Sequence, residues 1–373
     1  MKILIVTDKL IYKYKNEYYT TGGFSFQFNS FSEIFNDVEL LAPTVTIEDE
    51  KFNVNNKLLV SKVYEINQKS KVRLLYHSFK LSYFLKTDSY DNIQLRLPSK
   101  VSNIFYIMNS SYKRYFTIIG GHPYKSILEG INKKIPFYLR AKVAEVNLFL
   151  TKKIMKKSKV FVTGNELFKE FIEYDPIEMV STSVTNKEIF FEEFKKTDND
   201  LIFVGRFTKE KNILLILEAL LFLRDKKNYS VNLQLIGDGP EKQSIKDFVE
   251  KHKLESQVEF LGQVNKRKEI LNKLRKSKIF ILSSLTEGTP KVIIEAMSQG
   301  TPVISTSVGG ISGIITHNEN GILYNSNDYV SLADNIIRLM VDEDLYNEIR
   351  NKSYSYISSN TLETYIERIK SNL

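Results

Sequence analysis

The sequence predicts an α/β protein with two domains, each built on a parallel β-sheet. The chain has 373 residues, more than one ordinary hydrophobic core holds, so two domains of roughly 150–200 residues are expected. In the second half, short apolar runs alternate with helical patterns, and the first half opens in the same way. Because strands that alternate with helices form parallel sheets covered on both faces, each half is predicted to be such a domain.

The elements of the second half are the clearer ones. An apolar run at 201–204, closed by Gly205, predicts a buried strand, and apolar residues at helical spacing predict a helix over about 210–224. The remaining predicted strands are 231–236, 258–261, 279–282 and 302–305, and the helices between them are 241–253, 267–276 and 290–299.

The first half predicts the same order less completely. Its strands are predicted at 3–6, 38–41, 92–97, 116–119 and 159–163, with helices at 24–35 and 136–158, and little is assigned between 43 and 90. A polar stretch places the domain boundary near 185–197. The predicted domains are therefore 1–190 and 197–355, and a last helix within 356–373 is a candidate to cross back onto the first domain.

Composition excludes several kinds of protein. The chain has no cysteine, which rules out disulfides and thiolate chemistry and suits a reducing cytoplasm. The apolar run at 3–6 is too short for the core of a signal peptide. The longest apolar helical stretch, 213–223, carries Glu218 and is far below membrane-spanning length. We therefore expect a cytoplasmic protein that is soluble or peripheral to a membrane.

Charge is distributed unevenly along the chain. Residues 1–196 carry the whole net charge of +9, whereas 197–373 are neutral. Between 100 and 160 there are 13 basic residues against two acidic ones, Glu129 and Glu145. A basic first domain suggests an anionic partner, which could be a membrane surface, a phosphate-linked acceptor or nucleic acid.

The strongest motif is Glu287-Gly-Thr-Pro-Lys-Val-Ile-Ile-Glu295. It places one carboxylate on the loop after a predicted strand and the second inside the next helix. Pro290 suits the first helical position, so the N–H groups of 291–293 would face an anion at the carboxyl end of a parallel strand. Glu295 could then accept hydrogen bonds from ribose, and Glu287 from a donor sugar. The alternative is a loop acid and an exposed helix acid without a ligand.

A second motif is Gly205-Arg206 with Lys211 five residues after the arginine. Gly205 ends a strand at the same edge of the sheet, and the two cations flank the turn into the next helix. Arginine as a fork and lysine as a point charge suit a phosphoryl group. The alternative is a pair of solvated loop cations.

Taken together, these motifs resemble glycosyltransferase family 4, the group 1 glycosyltransferases. The resemblance covers about 125 residues and is carried by Phe203-Val-Gly-Arg-Phe207, Lys209-Glu-Lys-Asn212, Gly237-Asp-Gly-Pro240, Phe260-Leu-Gly262 and the run from Glu287 to Val303. It implies a GT-B fold, in which two Rossmann-like domains with parallel sheets face a central cleft. It also implies a nucleotide-sugar donor, such as a UDP- or GDP-sugar, and transfer with retention of anomeric configuration.

The same resemblance assigns roles to individual residues. Arg206 and Lys211 would hold the diphosphate, Glu295 the ribose and Glu287 the donor sugar. The further donor-site residues that it implies are Gly22, Gly23, His122, Gly205, Gly262, Gly288, Thr289, Pro290, Lys291 and Val292. In the first domain, an ordinary turn at Gly22–Gly23 and a structural role for His122 are the alternatives. The hinge departs from the family pattern, with Ser181-Thr-Ser-Val184 in place of Pro-Asn-Gly-Val.

Metal binding is not expected, and neither is any other cofactor. Two Asp-x-Asp runs, Asp198-Asn-Asp200 and Asp342-Glu-Asp344, match the pattern of metal-dependent glycosyltransferases. The first precedes its strand and so lies at the wrong end of the sheet, and the second lies in a solvated helical region. None of the four histidines has ligand spacing to another.

The functional hypothesis is a retaining, metal-independent hexosyltransferase that acts on a cell-surface glycan, glycolipid or polymer in polysaccharide biosynthesis. One rival is a nucleotide-sugar epimerase on the same fold, which the spacing of the two glutamates disfavours. Another rival is a protein that binds nucleic acid or another polyanion through 100–160. That segment lacks base-reading or stacking motifs, so no nucleic-acid partner is expected.

The helix predicted over 136–158 has an apolar stripe expected to face the core: Leu139, Val143, Val146, Leu150 and Ile154. Lysines cluster at its C-terminal end, at Lys152, Lys153, Lys156 and Lys157. One interpretation is that they complement the helix dipole. The other is that they rest, with Lys133, Lys134 and Arg140, on an anionic membrane, which would make the protein peripheral on the inner face of the cell membrane.

Overall fold

The computed structural model of the chain describes residues 1–21, 23–48, 57–67, 70–130, 135–191 and 199–373. These residues form two compact units, Met1–Ser181 together with Leu362–Leu373, and Thr182–Thr361. The division falls after Ser181, earlier than the polar stretch near 185–197. The reason is that Ser183 and Glu188 are hydrogen-bonded to Arg267 of the second unit.

The first unit is built on a nine-stranded sheet. Its strands are β1 (Lys2–Val6), β2 (Ile11–Tyr14), β3 (Glu17–Tyr19), β4 (Asp37–Thr46), β5 (Lys62–Asn67), β6 (Asn92–Leu97), β7 (Tyr115–Ile119), β8 (Ser158–Thr163) and β9 (Ile177–Met179). The order is β3-β2-β4-β1-β6-β7-β8-β9, with β5 also paired to β4. All described pairs are parallel except the β2–β3 hairpin.

Helices cover both faces of this sheet. Those of the first unit are α1 (Phe24–Phe35), α2 (Lys71–Phe84), α3 (Lys100–Met108), α4 (Pro123–Gly130), α5 (Phe137–Met155), α6 (Asn165–Glu170) and the last helix of the chain, α13 (Leu362–Lys370). One core contains residues of α1 and α13, and the other contains residues of α2, α3 and α5. The terminal helix therefore packs within the first unit, where Lys370 Nζ donates to Ile34 O at 3.2 Å.

The second unit has a six-stranded parallel sheet. Its strands are β10 (Asn199–Val204), β11 (Leu233–Ile236), β12 (Val258–Gly262), β13 (Ser277–Leu282), β14 (Val303–Thr306) and β15 (Ile322–Tyr324). Its helices are α7 (Ile213–Lys227), α8 (Lys242–Lys251), α9 (Arg267–Arg275), α10 (Lys291–Ser298), α11 (Tyr329–Val341) and α12 (Glu343–Ser358). The strand order β12-β11-β10-β13-β14-β15 reverses direction between β10 and β13. In open α/β sheets, ligands bind at the carboxyl ends of the strands at such a reversal.

The prediction that fails within the first unit concerns the inward face of α5. Leu139, Val143 and Val146 were expected in the core, but they are 45%, 49% and 57% exposed. The helix instead buries a face of small and polar residues: Ala144, Asn147 and Thr151, followed by Ile154 and Met155. The Asn147 amide explains this choice, because it accepts a hydrogen bond from Asn103 at 2.8 Å and donates one to Pro123 O at 3.0 Å. The part of the apolar stripe formed by Leu139, Val143 and Val146 therefore faces solvent, whereas Leu150 is half-buried and Ile154 lies in the core as predicted.

In the part of the chain that the structure describes, no helix combines the length and apolar character that crossing a bilayer requires. The longest helix of the first unit is α5, with 19 residues. It carries both the exposed apolar stripe and the basic C-terminal end.

Candidate active site

Two loops of the second unit meet beyond the carboxyl ends of β10 and β13. The Ser283 hydroxyl donates to the carbonyls of Lys211 at 2.8 Å and Asn212 at 2.9 Å. The Leu285 N–H donates to Glu210 O at 2.8 Å. These hydrogen bonds hold the loop after β13 against the loop after β10, at the point where the strand order reverses.

The Glu287 carboxylate lies at this junction. Its Oε1 accepts hydrogen bonds from Lys211 Nζ and from Ser284 Oγ, the latter at 2.7 Å. The Glu287 and Lys211 side chains are 11% and 23% exposed, so the ion pair is largely shielded from solvent. The sequence predicted both residues as site residues but not that they contact each other.

A glycine pair supports the Glu287 loop from behind. The Gly310 N–H donates to Gly288 O at 2.9 Å. A Cβ at Gly309 would lie 1.8 Å from Glu287 O, and Gly309 also has φ of +54°. Both the close approach and the left-handed backbone require glycine, so Gly309 sets the position of the Glu287 backbone.

The Arg206 side chain is exposed and forms no hydrogen bond or ion pair with any described residue. Its charge and that of Lys211 both act on Glu210. Hydrogen bonds from the backbone N–H of Glu210 and from Thr208, followed by these two cations, hold the pKa of Glu210 below its usual value. Arg206 and Lys211 therefore lie near one carboxylate, as expected for two cations that share an anion.

Glycines bring the three strand ends on this side of the sheet into close contact. The Gly205 N–H donates to Ile236 O at 3.0 Å, and the Gly237 N–H donates to Gly262 O at 2.8 Å. A Cβ at Gly237 would lie 1.9 Å from Gly205 O. Gly205 and Gly262 thus belong to one packed edge, beside the loop that carries Arg206.

Helix α10 begins one residue later than the sequence predicted. Pro290 is the N-cap, with extended backbone, and the first helical residue is Lys291. The Ile293 N–H donates to Pro290 O at 3.2 Å, which removes Ile293 from the N–H groups assigned to an anion. The positions that remain at the helix start are Lys291 and Val292, both half-buried, next to the half-buried Thr289.

Glu295 takes part in an ion-pair network that the sequence did not reveal. Its Oε1 accepts from Arg267 Nη1 at 2.5 Å and from Ser183 Oγ at 3.0 Å. Arg267 also donates to both oxygens of Glu188, at 2.6 and 3.2 Å. Burial lowers the pKa of Arg267, but the two glutamates outweigh this effect and raise it. Arg267 is therefore a fixed cation within the network.

This network leaves half of the Glu295 carboxylate available. Glu295 Oε2 accepts no hydrogen bond within the described ranges, so it remains an acceptor for a ligand hydroxyl. Nothing in the sequence around Arg267 distinguishes it from the neighbouring Lys266 and Lys268, which explains why it was missed.

In the first unit, the predicted site residues are His122, Gly22 and Gly23. His122 Nδ1 accepts from the N–H groups of Tyr124 at 3.1 Å and Lys125 at 3.3 Å, and Nε2 lies 2.9 Å from Glu170 Oε1. Both ring nitrogens therefore have partners, and the histidine caps α4. Gly23 precedes α1, and Gly22 lies outside the described residues.

Neither Asp-x-Asp run forms a metal cluster in the described ranges. Asp198 lies outside them, Asp200 Oδ2 accepts from the Asn232 N–H at 3.0 Å, and Asp342 caps α12 through the Leu345 N–H at 2.9 Å. Among the described residues, no group of three or more potential ligands lies together.

Comparison with known proteins agrees with the fold of the two units. Residues 184–356 match the family model described as glycosyl transferases group 1. The solved HepE of Anabaena, in complex with UDP, has a TM-score of 0.69 and 16% identity, with all of both chains covered. Nearly all of the second unit thus matches the group 1 glycosyltransferase family model, and the chain has the GT-B fold.

Two curated relatives show how far the similarity extends. N-acetyl-alpha-D-glucosaminyl L-malate synthase of Bacillus anthracis is 32% identical over 178 residues, which is 47% of this chain and 45% of that protein. Protein CapJ of Staphylococcus aureus is 25% identical over 387 residues, covering 100% of this chain and 95% of CapJ. The chain thus spans less than half the length of the first curated relatives it matches, but nearly all of CapJ.

Proposed function

We propose that the protein is a retaining, metal-independent hexosyltransferase that moves a sugar from a UDP- or GDP-sugar to a cell-surface glycan, glycolipid or polymer. The observation that carries this proposal is the Lys211–Glu287 contact beside Arg206 at the strand reversal. One small region thus offers two cations for a diphosphate and a carboxylate for sugar hydroxyls. The family of the second unit supports a nucleotide-sugar donor.

In the proposed reaction, the site must stabilise negative charge. As the glycosidic bond to the nucleotide breaks, negative charge grows on the departing diphosphate. Arg206, Lys211 and the start of α10 would stabilise that charge, and such preorganised donors contribute several kcal/mol in comparable sites. Because Lys211 already contacts Glu287, its ammonium would bridge the donor phosphate and the carboxylate that orients the sugar.

Two further roles complete the proposal. Glu295 Oε2 would accept from the ribose, while Arg267 holds Oε1 and fixes the carboxylate. Retention would follow a front-side path, in which the acceptor attacks on the face from which the diphosphate leaves. The diphosphate itself would take the acceptor's proton. This path follows from the family resemblance, and no described side chain is assigned as a covalent nucleophile.

Named relatives are consistent with this class of reaction. The Bacillus anthracis protein is named as a synthase of a glucosaminyl malate, and HepE was solved with UDP. The deciding experiment incubates the protein with a panel of UDP- and GDP-sugars and follows nucleotide release together with anomeric configuration by NMR. Nucleotide release with an α-linked product from an α-linked donor supports the proposal. An isomerised donor without nucleotide release would instead indicate an epimerase.

Activity is expected to survive excess chelator, because protein cations fill the role that a metal has in other glycosyltransferases. Nucleotide release would be measured with and without EDTA, and then with added manganese. Full loss in chelator and recovery with manganese would contradict the proposal and point back to the Asp-x-Asp runs.

We also propose that the first unit binds to an anionic membrane surface. The outward sides of α2 and α5 carry large apolar side chains, including Val72 at 76% exposed and Phe149 at 66%. Both helices cover the same face of the sheet, with α3 and its exposed Ile107 packed against each. Exposed apolar area of this extent is rare on a protein that meets only water.

The charges around these side chains favour a lipid surface over another protein face. Helix α2 contains no acidic residue, and the one acid of α5, Glu145, is paired with Lys142 at 3.0 Å. The four lysines at the end of α5 are exposed, and each contributes about 1 kcal/mol near an anionic surface. Lys133 and Lys134 lie outside the described residues, and Arg140 turns back to Ile135 O at 3.1 Å.

Co-sedimentation with anionic liposomes at low salt is therefore expected, with weaker binding at high salt. The first variant replaces the four lysines by glutamine and should lose most binding. A second variant, Val143→Ser with Val146→Ser, should weaken the liposome binding that remains at high salt. The control is Val341→Ser, at an exposed position of the second unit, which should leave liposome binding unchanged. Wild-type protein that stays in the supernatant would contradict the membrane proposal. If the protein forms dimers and does not bind liposomes, the exposed apolar side chains of α2 and α5 would instead be the contact surface for a second copy of the chain.

A further inference from the structure

Two cations share one aromatic ring at the carboxyl edge of the first sheet. Lys9 Nζ lies 4.3 Å from the centre of the Phe24 ring, and Arg96 Cζ lies 5.0 Å from the same centre. Lys9 follows β1 by three residues, and Arg96 is the second-last residue of β6, which pairs with β1 in parallel. Phe24 is the first residue of α1.

Most hydrogen-bond donors of these two side chains are unused. A guanidinium has five N–H donors. In the described ranges, that of Arg96 makes a single hydrogen bond, from Nη1 to Gln27 Oε1 at 2.9 Å. Lys9 Nζ donates to Thr21 Oγ1 at 3.3 Å. Neither cation forms an ion pair with a carboxylate in the part of the chain that the structure describes. The remaining donors therefore have no acceptor among the residues that the structure describes.

The carboxylate next to Lys9 in sequence is already occupied. Asp8 Oδ2 accepts from the Lys100 N–H at 2.8 Å, and Oδ1 accepts from the Val101 N–H at 2.9 Å. Asp8 therefore serves the start of α3, and its charge is not directed at the two cations.

The missing counter-charge affects both cations. Burial, followed by the positive charge of Arg96, lowers the pKa of Lys9. Burial also lowers the pKa of Arg96, an effect that Tyr365 partly offsets. Two half-buried like charges raise each other's free energy, and a bound anion would remove that cost.

Two other lysines of this unit that lie over rings are each paired with a glutamate. Lys2 lies over Tyr90 and pairs with Glu39 at 2.9 Å, and Lys13 lies over Tyr18 and pairs with Glu65 at 2.8 Å. The paired glutamate raises the pKa of each lysine. Lys9 and Arg96 differ because two cations converge on one ring and neither pairs with a glutamate or aspartate in the described ranges.

We propose that Lys9 and Arg96 form a binding site for an oxyanion, a phosphate or carboxylate, carried by a substrate. Guanidinium and ammonium groups held side by side suit such an anion, because one binds as a fork and the other as a point charge. The site lies in the first unit and is separate in sequence from Arg206 and Lys211. The proposal rests on the proposed function in one respect, namely that the oxyanion is part of the sugar donor or of the sugar acceptor.

Inorganic phosphate is the probe, titrated by calorimetry at constant ionic strength. The background is Arg206→Ala with Lys211→Ala, so that the second unit contributes no phosphate site. Lys9→Gln and Arg96→Gln should each weaken phosphate affinity about tenfold or more. Lys62→Gln is the matched control, because Lys62 lies 4.5 Å over the Tyr64 ring at an exposed position and should bind as the background does.

The outcomes separate this site from the proposed function, because phosphate binding needs no sugar transfer. Absence of phosphate binding in the background, or equal binding by Lys9→Gln and Lys62→Gln, would overturn the proposal. The Arg96 side chain packs on Phe24 and Phe28, so Arg96→Gln could fail to fold. In that case Lys9→Gln alone still decides the test.

A UDP titration of otherwise unchanged protein then assigns the source of the anion. If Lys9→Gln binds UDP more weakly than wild type, the anion is the donor's diphosphate. If UDP affinity is unchanged while phosphate affinity falls, the site takes an acidic group of the acceptor. Either result supports an oxyanion site at Lys9 and Arg96.

Discussion

Replacing Glu287 by glutamine is expected to lower turnover on the order of 100-fold, which corresponds to about 2.7 kcal/mol of barrier. Glutamine keeps the shape of the side chain but removes the charge that pairs with Lys211 and the second acceptor oxygen for sugar hydroxyls. The fold should survive, since Ser284 Oγ can still donate to the amide oxygen. The measurement is kcat at saturating donor and acceptor.

Glu295→Gln is the control for this prediction, because it makes the same change at the other glutamate of the motif. A ribose contact is similar in ground and transition states, so this variant should mainly raise the donor KM. It should also lower the melting temperature, since Arg267 keeps Glu188 but loses the charge of Glu295. The division of roles is wrong if Glu287→Gln raises KM alone and Glu295→Gln lowers kcat alone.

Removing either cation of the phosphate clamp is expected to weaken donor binding roughly 10- to 150-fold, from charge-assisted contacts of about 1.5–3 kcal/mol each. Arg206→Ala should change stability little, because the exposed Arg206 side chain makes no hydrogen bond or ion pair with a described residue. Lys211→Ala should cost some stability, because it leaves Glu287 without its cation. Calorimetry with UDP and GDP measures the affinity.

Lys209→Ala is the matched control for the clamp, since Lys209 lies in the same turn and is exposed. It should bind UDP and GDP as wild type does. Because Lys211 and Glu287 are in contact, Lys211→Ala combined with Glu287→Gln should lose less activity than the two single effects together. Wild-type affinity in both Arg206→Ala and Lys211→Ala would remove the phosphate-clamp assignment.

Much of the fold follows from patterns that are local in sequence. Helix α1 is observed over the predicted residues 24–35, and β6 over the predicted 92–97, because apolar periodicity and flanking polar residues set both ends. The stretch from 43 to 90 gave little signal, yet it contains β5 and α2. The outward face of α2 is itself apolar, so the helix lacks the polar and apolar sides on which such predictions depend.

The sequence indicated the candidate site residues but not the contacts between them. Strand order brings Arg206, Lys211 and Glu287 together, and each lies on a loop whose position a strand–helix pattern reveals. The Arg267–Glu295 pair was not predictable, because one arginine among several basic residues gives no signal. The same holds for Lys9 and Arg96, which are 87 positions apart in sequence and converge only through the pairing of β1 with β6.

The position of α13 bears on the order in which the two units are completed during synthesis. The second unit is continuous from Thr182 to Thr361, whereas the first needs Tyr365, Ile366 and Ile369 to finish the core that contains α1. A ribosome therefore releases every residue of the second unit before the first unit can close its core. Deletion of residues 362–373 would accordingly destabilise the first unit and spare the second, although the second is the nearer in sequence.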